Sequence, residues 1–200
     1  MQKITLDEFR INYSDYKYLA GILEQGGVIA CPTATGYNII ALARERALIK
    51  SLQKSFEKDK KLPVVLYPNT SEMTKDLLVS QSVFKLIKKN TPSSCTFIVP
   101  IAPAVAAKIV HERKSEIAVR MPEEQILVEL MKLCYPLISF GLVESESQEF
   151  AIEASDINSK INNLQVIDFE RPVIVKPSTI INCCTWPIEV VRQGSYDLLV

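Results

Sequence analysis

The residues best placed for chemistry are cations and hydroxyls at the ends of short apolar runs. Lys54 precedes a charged loop carrying Lys58, Lys60 and Lys61, Arg120 closes the run IAVR directly before Met121-Pro122, and Arg192 closes VVR before Gln193-Gly194. An arginine at a strand end can grip a phosphate or carboxylate through two parallel N–H bonds. Thr33, Thr35, Thr96 and Ser178 fall at the edges of similar runs, where hydroxyls orient a small polar substrate or help hold a metal ion. The stretch GGVIACPTATGYN, residues 26–38, concentrates the pattern. A Gly-Gly stop, a buried strand and a hydroxyl-rich turn are expected to deliver Thr33, Thr35 and Tyr37 to the rim of a sheet, where open α/β folds bind ligands. Taken singly, a loop lysine is usually solvated and a strand threonine is usually a β-former. The joint pattern is what points to an anionic ligand.

Several other chemistries are excluded. There is no G-x-G-x-x-G and no G-x-x-x-x-G-K-[ST], so neither a dinucleotide fingerprint nor a P-loop is present. No Gly-x-Ser-x-Gly elbow occurs, and the single histidine, His111, serves neither a Ser-His-Asp hydrolase nor a zinc site. Lys plus Arg number 23 and Asp plus Glu number 23, so the chain lacks the basic excess of a dedicated nucleic-acid binder. Any anion affinity must be local. The 5 cysteines show no Cys-x-x-Cys spacing and mostly sit in apolar runs, which predicts reduced thiols in a cytoplasmic protein. No run approaches the ~20 apolar residues of a membrane span, and MQKITLDEFR lacks the apolar core of a secretory signal. No membrane association is expected.

The positioning elements follow from periodicity. A chain of 200 residues, 48% hydrophobic and 23% charged, predicts one domain over 1–200 with a substantial core. Helical spacing covers residues 14–25, 45–56, 71–90 (as one or two helices), 104–110 and 124–134. Short β-branched runs predict strands at 28–31, 62–67, 96–99, 117–120, 137–140, 173–175, 179–182 and 189–192. Alternating strands and helices predict an α/β fold, an open, twisted, mixed parallel/antiparallel sheet with helices packed on it. The crowding of short strands after position 165 predicts that part of the sheet is antiparallel.

The same residues carry a family resemblance, in ordered blocks from about residue 26 to 194. PTATGYN resembles the PT-x-T-x-Y/F-G signature of the YrdC-like family, the threonylcarbamoyl-AMP synthases that begin t6A37 modification of tRNA. LQKSFEKDKKLPVVL (52–66) is similar to its Lys-x-Arg segment, and TPSSCTFIVP (91–100) to its PGP-x-TFV-x-P block. IAVRMP (117–122), PLISFGLVES (136–145), PSTII (177–181) and VVRQG (190–194) occupy its remaining motifs. The chain departs from the family at Phe56 in place of an Arg, at Gly141-Leu142-Val143 in place of Ser-Ala-Asn, at Asn38 in place of a Gly and at Pro92-Ser93-Ser94 in place of Pro-Gly-Pro.

The resemblance implies the YrdC-like/RibB-like α/β fold and a nucleotidyltransferase that joins L-threonine, bicarbonate and ATP, with Mg²⁺, into threonylcarbamoyl-AMP. Carried over, Lys54 and Arg120 are the catalytic cations. Thr33, Thr35, Tyr37, Lys60, Thr96, Ser139, Ser178 and Arg192 bind substrate or nucleotide, with Lys58 or Lys60 standing in for the missing Arg and Ser139 or Ser145 for the missing Ser and Asn. Implied partners are tRNA or double-stranded RNA and other proteins of the t6A pathway. The alternatives are a paralogue that binds nucleotide or double-stranded RNA without turnover, and carbamoyl-adenylate chemistry on another acceptor, as in the related domain of hydrogenase maturation proteins.

Overall fold

A computed structural model describes residues 2–56, 63–142, 150–157, 161 and 163–199. Its centre is a sheet built from β1 (Gln2–Thr5), β2 (Val28–Thr33), β3 (Gly36–Leu42), β4 (Val64–Leu66), β5 (Cys95–Pro100), β6 (Glu116–Arg120), β7 (Leu137–Gly141), β9 (Leu164–Asp168), β11 (Thr179–Asn182) and β12 (Glu189–Arg192). The spatial order is β1-β9-β2-β3-β7-β4-β6-β5-β11-β12. Strands β8 (Phe150–Ile152) and β10 (Val173–Val175) pair separately and antiparallel. Parallel and antiparallel pairs mix along the whole sheet. Antiparallel pairing, as expected for part of the sheet, joins β11 to β12 and also runs through its centre, where β3 runs against both β2 and β7 and β7 against β4. β9 runs parallel to β1 and β2.

Six helices cover the two faces: α1 (Tyr13–Glu24), α2 (Arg46–Phe56), α3 (Thr70–Asp76), α4 (Gln81–Lys89), α5 (Pro103–Ile109) and α6 (Gln125–Leu133). The continuous helical pattern of 71–90 resolves into two helices, with Asn69 capping the first and Ser80 the second. α1 starts at a capping box, in which Asn12 accepts from the Ser14 and Asp15 amides while Asp15 accepts from the Asn12 amide. It ends before Gly26, whose positive φ of 76° suits glycine.

The apolar periodicity of each helix decides its face. Leu19 and Leu23 of α1 join Ile126, Leu127 and Leu130 of α6 over Ile29, Ile40, Leu42, Leu66 and Leu137. On the other face Ile49 and Leu52 of α2, Met73 of α3, Val83 and Ile87 of α4 and Ile109 of α5 pack on Ala30, Ile39, Val65, Phe97, Val119 and Phe140. The result is three layers, helix–sheet–helix. Among the described residues no helix is long and apolar enough to cross a membrane.

Candidate functional site

Paired residues in neighbouring strands share a face, so the register fixes which side chains meet. Cys31 pairs with Asn38, Ile40 with Ser139, Ser139 with Val64 and Leu66 with Arg120. Ala118 pairs with Ile98, Ile98 shares its face with Thr96, and Ile180 pairs with both Thr96 and Arg192. Thr33, Asn38, Ser139, Arg120, Thr96 and Arg192 therefore all lie on the α1/α6 face. The apolar cluster of α1 and α6 takes strand residues from β2, β3, β4, β7 and β9 and none from β5, β6, β11 or β12. On that second half Thr96, Arg120 and Arg192 share the face with Ile98, Ala118 and Ile180.

These polar side chains form one connected network. Arg192 Nη2 donates to Ser178 Oγ at 2.8 Å and its Nε to the Ser178 carbonyl at 2.9 Å. Thr96 Oγ1 donates to Ser178 Oγ at 3.5 Å and accepts from Arg120 Nη2 at 2.8 Å and Nε at 3.2 Å. Arg120 Nη1 donates to Thr35 Oγ1 at 3.1 Å. Thr35 lies in the two-residue turn joining β2 to β3, several strands away. From Thr35 the network continues through Thr33 Oγ1 at 3.1 Å to Asn38, whose Nδ2 donates to Thr33 Oγ1 at 2.7 Å and Thr35 Oγ1 at 3.2 Å. Asn38 Oδ1 accepts from Ser139 Oγ at 3.1 Å.

The electrostatics are those of an anion site. Burial, the largest influence, lowers the Arg120 pKa; Glu124 opposes this and Arg192 adds to it. Arginine nonetheless stays charged. The acceptors that its guanidinium meets are neutral hydroxyls. A desolvated cation beside a second cation, bonded only to neutral oxygens, is a strong local attractor for phosphate or carboxylate.

Gly194 sets the approach of the C-terminal segment to this network. A Cβ there would stand 2.2 Å from the Pro177 carbonyl oxygen and 2.4 Å from the Ser178 carbonyl carbon. Only a residue without a side chain lets the chain after Arg192 pass so close to Ser178.

The structure thus brings together Thr33, Thr35, Thr96, Arg120, Ser139, Ser178 and Arg192. It places the other sequence candidates elsewhere. Tyr37 pairs with Pro32 and faces the opposite side of the sheet, fully buried, with its hydroxyl donating to the Ile167 carbonyl at 3.1 Å. Burial pushes that phenol up to about 12. Lys54 is exposed near the end of α2, and no hydrogen bond among the described residues joins it to the network. Lys60, with Lys58 and Lys61, lies outside the described residues, as does Val143. Gly141 and Leu142 continue the β3–β7 ladder, Gly141 opposite Asn38 and the Leu142 amide donating to the Tyr37 carbonyl.

Two functional residues were not singled out from sequence. Asn38, met there only as a departure from glycine, is the hub that holds the Thr33, Thr35 and Ser139 hydroxyls. A lone amide at the head of the apolar run IIALA was its signal. Glu124 accepts from the Ala34 amide at 2.7 Å and so ties the β2–β3 turn to the start of α6. Its signal was a glutamate at a position where helices prefer Ser, Thr, Asp or Asn. No group of three or more His, Cys, Asp or Glu side chains that could hold a metal occurs among the described residues.

The Sua5/YciO/YrdC family model, described as "Telomere recombination", matches residues 21–194. The chain belongs to this family. YciO of Escherichia coli, an uncharacterized protein, is 26% identical over 184 residues, covering 88% of this chain and 87% of YciO. Its crystal structure superposes with a TM-score of 0.81 at 23% identity, covering 98% and 96% of the two chains. A threonylcarbamoyl-AMP synthase of Pyrococcus abyssi is 24% identical over 196 residues, covering 94% of this chain but 56% of the synthase. The P. abyssi Sua5 structure complexed with L-threonine gives a TM-score of 0.74 at 20% identity, covering 96% and 57%. Both structural likenesses establish the fold, a mixed open sheet with six helices.

Proposed function

We propose that this protein is a diverged threonylcarbamoyl-AMP synthase, which joins L-threonine, bicarbonate and ATP on the polar half of the α1/α6 face and releases pyrophosphate. The observation that carries this reading is the Arg120–Thr96–Ser178–Arg192 relay, two guanidinium groups linked through hydroxyls on a half-face where the helix cluster does not extend. L-threonine is bound by the related P. abyssi Sua5, and a P. abyssi relative is a threonylcarbamoyl-AMP synthase.

In this reading Arg120 and Arg192 neutralise the phosphates and the threonine carboxylate. Thr33, Thr35, Thr96, Ser139 and Ser178 orient the reacting oxygens. Catalysis is positioning and electrostatic stabilisation by groups that are already oriented. The described donors are hydroxyls and cations, which suit Mg²⁺ only as a companion of the nucleotide phosphates. The product would serve t6A37 formation in tRNA, in company with other proteins of that pathway, in the cytoplasm.

The test is pyrophosphate release by the purified protein with ATP and Mg²⁺. Release that requires both L-threonine and bicarbonate supports the synthase; release indifferent to either refutes it. A second reading, nucleotide or double-stranded RNA binding without turnover, is favoured by Gly141 and Leu142, which give β7 backbone pairing where the family has polar groups. Under that reading ATP binds and no pyrophosphate appears. An RNA partner would add an affinity that falls steeply with salt.

A further inference from the structure

Glu124 is the residue immediately before α6, yet its side chain makes no cap bond to that helix. Its main chain is fixed, because its carbonyl accepts from the Leu127 and Val128 amides at 3.0 Å each. Its carboxylate reaches instead across the sheet to the β2–β3 turn, where Ala34 N–H donates to Oε1 at 2.7 Å. Ala34 sits between Thr33 and Thr35, the hydroxyls that join Asn38 and Arg120.

The position is open. Thr33, Ala34 and Glu124 line a groove whose other walls include Phe169, Arg171 and Ile174. Glutamate is a poor side-chain cap, and here its carboxylate bonds to the turn and not to the helix amides. What the side chain does is place a negative charge on a backbone donor beside a guanidinium that otherwise meets neutral hydroxyls. The Arg120 charge responds to it: among the influences that raise Arg120 against burial, Glu124 is the largest.

We propose that the Ala34 amide, next in the chain to the Thr35 that Arg120 holds, is an oxyanion seat which the Glu124 carboxylate occupies in the free protein and a phosphate or carboxylate of the ligand takes over on binding. The inference rests on the reading of this face as an anionic-substrate site. It makes Glu124 a built-in competitor that sets ligand affinity. A ligand that enters must break a charge-assisted hydrogen bond and approach a like charge, and both costs vanish when the carboxylate is removed.

The test measures binding of inorganic pyrophosphate and, separately, of L-threonine by calorimetry at fixed ionic strength, for the wild type, Glu124→Ala, Glu124→Gln and Arg120→Ala. Glu124→Ala is expected to bind one or both probes about tenfold more tightly, with Glu124→Gln in between, since a competing charged hydrogen bond is worth about that much. A gain for pyrophosphate assigns the seat to phosphate, and a gain for threonine alone assigns it to carboxylate. The Ala34 amide proton should shift upfield in Glu124→Ala and return downfield as the probe is added. Equal or weaker binding by folded Glu124→Ala overturns the proposal, and leaves the anion site standing if Arg120→Ala still loses affinity. Arg120→Ala that binds like the wild type removes the anion site itself.

Discussion

Replacing Asn38 by leucine removes the amide that organises the hydroxyl end of the network while nearly preserving side-chain volume. The side chain is 5% exposed, and it makes bonds to Thr33 Oγ1, Thr35 Oγ1, the Gly36 carbonyl and Ser139 Oγ. Thr33 keeps its 2.7 Å bond to the Gly36 carbonyl, so that carbonyl is not orphaned. Ser139 is 4% exposed and loses the acceptor at Asn38. Net loss is about 1 kcal/mol for a typical hydrogen bond, plus about 1–3 kcal/mol for a buried hydroxyl left unpaired. The expected destabilisation is about 3 kcal/mol.

That change is measurable by urea unfolding, as a midpoint lowered by about 1–1.5 M at an ordinary slope, or as a melting temperature lowered by about 6–12 °C for a chain of this size. A double-mutant cycle isolates the cause. Ser139→Ala should cost about 1 kcal/mol alone and restore about 1 kcal/mol or more in the Asn38→Leu background, because the hydroxyl it deletes is then buried and unpaired. Additivity of the two changes, or a loss under 0.5 kcal/mol for Asn38→Leu, would refute the assignment of Asn38 as the hub. Pyrophosphate affinity should fall several-fold in the same variant, since Thr35 would no longer be held where Arg120 Nη1 meets it.

Arg120→Met should weaken ATP and pyrophosphate binding by about tenfold to a hundredfold, yet unfold at no lower denaturant, because a desolvated charge near Arg192 is replaced by an apolar chain. Gly194→Ala should destabilise by about 2–4 kcal/mol and also lower affinity, because its Cβ, 2.2 Å from the Pro177 carbonyl, can be relieved only by moving the backbone that carries Ser178; calorimetry and urea unfolding read both effects. Asp168, bonded to Lys3 at 2.7 Å, has a lowered pKa owing first to that bond. Its contribution is therefore present above the ordinary aspartate range and lost as pH falls through its lowered value, so the stability gap between wild type and Asp168→Asn should narrow on acidification below about pH 4.

The helices were legible because their apolar spacing is strong: α1 and α6 present Leu19 with Leu23 and Leu127 with Leu130 one turn apart, and both lie within a residue or two of expectation. β3 was not, since GYNIIAL follows a hydroxyl-rich turn whose length sets the pairing. Nor were β1 and β9, whose partners lie far away in sequence. The fate of Tyr37 shows the physical reason. A two-residue turn pairs Thr33 with Gly36 and Pro32 with Tyr37, so the aromatic ring lands on the face opposite Thr33. One residue more or less in that turn would have reversed the outcome. Arg120, Thr96, Ser178 and Arg192 were each visible as strand-end polar residues. Their meeting depends on the order β6-β5-β11-β12, which no local pattern encodes.

That order has an energetic consequence. It sets two guanidinium groups on one half-face, where Thr96 and Ser178 can align them but, being neutral, cannot balance them. A fold selected for stability alone would fill such a surface with apolar side chains, as the α1/α6 half of the same face does with Ile29, Ile40 and Leu137. The Glu124 carboxylate, at the start of α6 and bonded to the Ala34 amide, is the largest of the charges that raise Arg120 against burial. In the proposed function, the same buried charge that costs the free protein stability supplies binding energy for an anionic substrate.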